Sequence, residues 1–203
     1  MGERVGFGVV GAGAIGIRGA LMDLSQEDVQ DRVHLAAVCD LNPGQLAQAS
    51  VDFPGITAYT DAAGMARDPD IDLVIVATAP NSHASLTIEM LAAGKHVLCE
   101  KPLAVTVKEA QELVKQADSS GRVTAVHFNI RFYPLMSHIR AMIASGELGE
   151  IYAVHGSYLQ DWLFYDTDYS WRLEPEYSGE SRAVADIGSH WMDLIEFLTG
   201  DRI

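Results

Sequence analysis

Val5-Gly6-Phe7-Gly8-Val9-Val10, followed by Gly11-Ala12-Gly13-Ala14-Ile15-Gly16, is the stretch that decides the fold. An apolar run of strand character enters a glycine-rich turn, and the turn opens into Ile17-Arg18-Gly19-Ala20-Leu21-Met22, which reads as a helix. The spacing is G-x-G-x-x-G in the place where its chemistry needs it. Gly11 permits a tight turn, and Gly13 lets the backbone approach a pyrophosphate. Gly16 lets the helix pack closely, and the helix N-terminus offers N–H groups and a positive dipole end to the anion. Gly11, Gly13, Ala14, Ile15 and Gly16 are therefore candidate dinucleotide contacts. The same run has the length of a signal-peptide core, but Glu3 and the six glycines from Gly6 to Gly19 argue against that reading.

Working outward, Val33 to Cys39 reads as a second strand ending at Asp40, 29 positions after Gly11. The usual interval to the ribose-binding acid is about 20 residues, and the polar stretch Ser25–Arg32 holds the excess. A carboxylate here accepts from both adenosine ribose hydroxyls and repels a 2′-phosphate. Leu41-Asn42-Pro43 supplies no arginine to offset that repulsion, so NAD is favoured over NADP. The competing reading makes Asp40 the cap of a helix starting near Pro43.

Asp72 to Ala77 is a continuous apolar run after its first residue, as in a strand buried on both faces. The loop after it, Thr78-Ala79-Pro80-Asn81-Ser82-His83, lies where ligands bind a doubly wound sheet, with His83 either a site residue or a first-turn surface histidine. His96 to Cys99 is the next strand and runs into Glu100-Lys101-Pro102. Thr106-Val107-Lys108-Glu109 is a capping box that opens a helix ended by Gly121, and Val123–Phe128 gives a further strand. Alternating strands and helices specify an α/β fold with a doubly wound parallel sheet of the Rossmann type.

The pattern changes near residue 125. Tyr133-Pro134 starts a helix, and Ile151–Leu159 alternates like an antiparallel strand. The loop Gln160–Arg182 is rich in Trp, Tyr and Asp, and its length marks it as a binding segment. Ala185-Asp186-Ile187-Gly188-Ser189-His190 begins a helix running to Thr199-Gly200. The expected domains are 1–124, dinucleotide-binding, and 125–203, the start of an α+β domain with an open, mainly antiparallel sheet.

The 203 residues, 48% hydrophobic, suffice for one large core or for a domain and part of another. The formal net charge of -14, without a basic patch, makes nucleic acid and acidic membrane surfaces poor partners. No apolar run reaches the roughly 20 residues that span a bilayer. Cys39 and Cys99 end strand-like runs and read as small core or near-site residues, not as a disulfide framework, which fits a reducing cytoplasm. No metal-ligand cluster is expected.

Together, Gly11–Gly16, Ala79-Pro80-Asn81 with His83, Glu100-Lys101-Pro102, Asn129-Ile130-Arg131-Phe132 and Asp186-Ile187-Gly188-Ser189-His190 resemble the motifs of the Gfo/Idh/MocA oxidoreductase family from end to end of the chain. The resemblance implies hydride transfer between NAD and a secondary alcohol of a sugar, sugar derivative or cyclitol, with Lys101, Asp186 and His190 as the catalytic group. It places Thr78, Pro80, Asn81, His83, Glu100 and Lys101 beside the cofactor with Asp40 and the glycine turn. Lys101, Asn129, Trp171, Arg172, Asp186 and His190 fall to the substrate. It further implies a homo-oligomer, dimer or tetramer, formed through the second domain's sheet. Members of the family are longer and continue that sheet, so the expectation is either a piece of a longer enzyme or a chain that lacks most of that sheet. Two other outcomes stay open: nicotinamide-assisted elimination or glycoside cleavage on the same fold, and a non-catalytic dinucleotide and sugar sensor.

The chemistry of alcohol oxidation suits these residue types. His190 accepts a proton near neutral pH. Asp186, four residues earlier, orients the imidazole if a helical turn joins them. Lys101 hydrogen-bonds the same oxygen and stabilises its developing negative charge, or shares the base role.

Overall fold

The computed structural model describes residues 4–203. The chain forms two compact units, one running through Val126 and the other spanning His127–Ile203.

The first unit is built on a six-stranded sheet: β1 (Val5–Val10), β2 (Val33–Cys39), β3 (Thr57–Tyr59), β4 (Leu73–Val76), β5 (His96–Cys99) and β6 (Thr124–Val126). The strands lie in the order β3-β2-β1-β4-β5-β6 and every pairing is parallel. Successive side chains of a strand point to opposite faces, so the apolar runs supply two cores rather than one. Val10, Ala37, Cys39, Val74, Val76, Val97 and Cys99 face one side, where they meet Met65 and Ala66 of α3 (Ala62–Ala66) and Met90 and Leu91 of α4 (His83–Ala92). Val9, Val38, Ile75 and Ala77 face the other, against Ala20 and Leu21 of a wide helical turn (Gly16–Leu21) and Leu46 and Ala49 of α2 (Pro43–Asp52). Leu21, Met65 and Met90 are fully enclosed, and each such side chain contributes about 1.5–3 kcal/mol.

Helix ends are set by local chemistry. The wide turn passes into the single turn α1 (Met22–Leu24). At α2 the cap is Asn42, whose Oδ1 accepts from the N–H of Gly44 and Gln45, with Pro43 in the first turn. Helix α5 (Val107–Ser120) carries the expected capping box. Glu109 N–H donates to Thr106 Oγ1 (3.2 Å), and Thr106 N–H donates to Glu109 Oε2 (3.1 Å). Gly121 then stops it in the left-handed region, at φ 64°.

The described residues of the second unit contain helices and turns only. They are a 3-10 turn (Asn129–Phe132), α6 (Pro134–Ala144), a second 3-10 turn (Trp171–Leu173), α7 (Pro175–Ser178), a wide turn (Val184–Gly188) and α8 (Ser189–Thr199). Arg131 is locked to Asp193 of α8 by two hydrogen bonds, Nε to Oδ2 at 2.6 Å and Nη2 to Oδ1. Arg140 of α6 stacks over Phe197 of α8, 4.6 Å from its centroid. The strand expected over Ile151–Leu159, and with it the antiparallel sheet, is absent from the described residues. Alternation prepares a segment for a sheet, but a strand exists only with a neighbour to share its ladder. No neighbouring strand is present among the described residues, and Tyr152 (87%) and Leu159 (83%) lie exposed.

Candidate functional site: a dinucleotide cradle and an acid–base helix

The order 3-2-1-4-5-6 reverses direction between β1 and β4, and ligands of doubly wound sheets bind beyond the strand ends at such a point. The glycine turn leaves β1 there and Thr78 follows β4. Gly11 has φ 102°, and a Cβ on it would stand 2.6 Å from Ala77 O. A Cβ on Gly16 would stand 1.7 Å from Gly11 O, so Gly16 packs on the turn itself. Gly13 is different, because its Cβ would meet nothing within 4 Å. The space beside it is open, as a backbone that receives a pyrophosphate requires. Ala14 and Ile15 are exposed at the tip of the turn.

Asp40 is half-buried and reaches this turn. Its Oδ2 accepts from Ala12 N–H (2.7 Å) and its Oδ1 from Asn42 N–H (2.8 Å). The capping alternative is corrected by this geometry, since the side chain that caps α2 is Asn42. The acid instead ties the end of β2 to the glycine turn, beside the open space at Gly13.

In the next loop, Thr78 Oγ1 lies 2.7 Å from Ser82 Oγ, Pro80 is buried and Asn81 is exposed. His83 is not a surface residue: it is fully enclosed. Its Nδ1 lies 2.7 Å from Pro102 O and its Nε2 3.0 Å from Thr78 O. Burial pushes the imidazole pKa below its ordinary value, against the opposing pull of the two carbonyls. Glu100 and Lys101 are half-buried, and Lys101 N–H donates to Glu100 Oε2 (3.3 Å).

In the second unit, the wide turn Val184–Gly188 carries Asp186 into α8, where His190 sits one residue past the start. The ring of His190 is met edge-on by Phe128 (centroids 5.8 Å apart) and Tyr158 (6.1 Å). Asp186 Oδ2 lies 3.5 Å from Arg172 Nε and 3.5 Å from Arg182 Nη1. Arg172 stacks over Trp171 (4.4 Å) and Trp162 (5.6 Å), and Arg182 over Trp162 (5.6 Å). The structure thus brings Trp171, Arg172 and Asp186 of the expected site together. Asn129 lies in the 3-10 turn that Arg131 fastens to α8. A cavity of about 650 Å³, lined in part by Tyr158, Gln160, Trp162, Arg182, Ile187 and Trp191, adjoins the cluster.

Arg182 and Trp162 were not singled out in the sequence. The available signal was an arginine four positions before Asp186, one helical turn away. Arg182 is also the one described non-glycine residue with positive φ (31°), which only the backbone reveals. No group of three or more His, Cys, Asp or Glu among the described residues is placed to hold a metal ion, and no helix is long and apolar enough to cross a membrane.

Residues 5–128 match the model of the oxidoreductase family with an NAD-binding Rossmann fold, and residues 136–203 match the GFO/IDH/MocA C-terminal domain. The chain is 34% identical over 165 residues to levoglucosan dehydrogenase of Pseudarthrobacter phenanthrenivorans, covering 81% of this chain and 42% of that protein. It is 31% identical over 197 residues to inositol 2-dehydrogenase of Salmonella paratyphi B, covering 96% of this chain and 54% of that protein. A structure of levoglucosan dehydrogenase in complex with NADH and levoglucosan superposes with a TM-score of 0.87 at 31% identity, covering 98% of this chain and 55% of the other. The chain spans about half the length of the curated relatives it matches.

Proposed function

The chain belongs to the GFO/IDH/MocA oxidoreductase family, whose first domain is an NAD-binding Rossmann fold, and on that premise we propose that the protein transfers a hydride between NAD and a secondary alcohol of a sugar, sugar derivative or cyclitol. One observation carries the reading: the open space at Gly13, flanked by the Asp40 carboxylate at the switch point of the sheet. The residues present fit a dinucleotide, and the absence of arginine in Leu41-Asn42-Pro43 fits NAD over NADP. The substrate class is supported by the similarity to levoglucosan and inositol 2-dehydrogenases.

In this mechanism the glycine turn and Asp40 hold the dinucleotide, which supplies the hydride acceptor when bound. His190 takes the hydroxyl proton as the carbon–hydrogen bond breaks, and the aromatic edges of Phe128 and Tyr158 fix its ring plane. Lys101 donates to the substrate oxygen and stabilises the charge that develops there. Asp186, braced by Arg172 and Arg182, supports the imidazolium. Trp171 and Arg172 border the sugar. Assembly as a homo-oligomer and a cytoplasmic location belong to the same proposal.

A screen of sugars, anhydrosugars and cyclitols for NADH formation tests this reading, with His190→Ala as its control. Turnover with at least one compound is expected. In His190→Ala, kcat should fall by roughly 10²–10⁴-fold while NADH affinity changes little. Turnover with none of the compounds, or a His190→Ala kcat within a few-fold of wild type, refutes it.

A further inference from the structure

His83 is enclosed on all sides and both of its ring nitrogens face backbone carbonyls, Nδ1 that of Pro102 and Nε2 that of Thr78. Neither nitrogen is left to meet a cofactor. The two carbonyls belong to segments leaving neighbouring strands: Thr78 follows β4, and Pro102 follows β5. Between those strands the chain runs through α4, which His83 itself begins. One side chain therefore links the two loops beyond the last backbone hydrogen bond between these strands, Glu100 N–H to Val76 O (2.8 Å). Burying a ring nitrogen is unfavourable unless it is hydrogen-bonded, so a core position of this kind is better served by leucine unless the hydrogen bonds matter. A neutral imidazole has a single N–H, so only one of the two carbonyls accepts from it.

We infer that His83 is a positioning residue: through Nδ1–H to the Pro102 carbonyl it sets the Lys101-bearing loop against the loop that follows β4. Lys101 is bonded directly to Pro102, so freedom at that carbonyl becomes freedom of the lysine. The inference rests on the reading of Lys101 as the group that meets the substrate oxygen. Displacement of a catalytic group by about 1 Å lowers the rate on the order of 10²-fold. His83 bonds to Pro102 O and Thr78 O, whereas the glycine turn is held by Asp40 through Ala12 N–H, so dinucleotide affinity should change less than kcat.

Two substitutions in the full-length protein test this. His83→Leu fills the volume without a hydrogen bond, and His83→Asn keeps an N–H donor near the Nδ1 position. In His83→Leu, amide hydrogen exchange over residues 100–106 should rise on the order of tenfold, with β1 and β2 unchanged. Its kcat should fall about 10- to 100-fold, while the NADH Kd, read by fluorescence titration, stays within about threefold. His83→Asn should restore both exchange and kcat to within about threefold of wild type. Should His83→Leu fail to fold, His83→Gln takes its place, since it keeps polarity but presents its N–H from the Nε2 end and is expected to free the same segment. Unchanged exchange over 100–106 in the leucine or glutamine variant overturns the inference. So does an asparagine variant as slow as the leucine one. Absence of turnover by the wild-type protein would count against the proposed function alone, because the exchange comparison still decides whether the tether exists.

Discussion

Asp40 shows how one side chain serves two ends. Its carboxylate accepts from Ala12 and Asn42 N–H, so the acid that would read the ribose also braces the turn that would hold the pyrophosphate. Hydrogen bonds to a charged group each contribute about 1.5–3 kcal/mol, and Asp40 is half-buried. Asp40→Ala is therefore expected to lower stability by about 2 kcal/mol in denaturant melts and to weaken NADH by about tenfold or more. NADPH affinity should rise by less than NADH affinity falls. A variant with unchanged stability and a clean switch to NADPH would show that the brace is idle. The sequence displayed this acid, but the choice between ribose reader and helix cap was invisible in it. Asn42 stands two residues away with equal capping credentials, and the partner amide at Ala12 is brought in only by the β1–β2 pairing. His83 was ambiguous for the same reason, because carbonyl partners leave no mark in a sequence.

Elements were legible where their signals were local. The capping box at Thr106, the stop at Gly121 and the double-faced apolar strands needed no tertiary information. The strand Thr57–Tyr59 and helix α3 escaped notice, since both are short and the strand is half-exposed. Ile151–Leu159 went the other way: its alternation is real but no partner strand meets it among the described residues. Helix α8 depends on a link that periodicity does not reveal, the paired hydrogen bonds from Arg131 to Asp193, whose side chain is only 9% exposed. Removing one partner of such a pair leaves a buried charge unpaired. Arg131→Met should cost about 2–3 kcal/mol, below the fully buried range because the arginine is half-exposed. Asp193→Asn in the same background should recover part of that loss. Unfolding midpoints of the two single variants and the double variant give the coupling, and an additive cycle would mean that the pair contributes nothing.

At the scale of the molecule, the alternating strands place both cysteines in the same core layer of the first unit. Burial pushes the Cys39 thiol up to about 11, with the Asp61 and Asp40 charges adding to it, and burial pushes Cys99 up to about 12. Thiolate is the reactive species, so both are inert while the sheet is intact. A chromogenic disulfide reagent at pH 8 should label almost none of the native protein and both thiols after denaturation. The labelling rate against denaturant then reports the opening of this core without an added probe. Fast labelling of either thiol in native buffer would contradict the packing. The double-sided core was readable from composition and order alone. The brace at Asp186 was not, because Arg172, Arg182 and the two tryptophans gather from separate parts of a long loop.

The three glycines of the first turn differ in what they forbid. At Gly16 any codon change brings in a Cβ that collides with a carbonyl 1.7 Å away, and Gly11 is barred by its positive φ as well as by Ala77 O. At Gly13 the same atom enters empty space. Evolution therefore meets two unlike walls within six residues: variants at 11 and 16 are expected to misfold, whereas variants at 13 are expected to fold and, on the role proposed for this turn, to lose their nucleotide. On that proposed role, the middle glycine is a position at which descendants of this fold can drift from chemistry to a purely structural life in a single step.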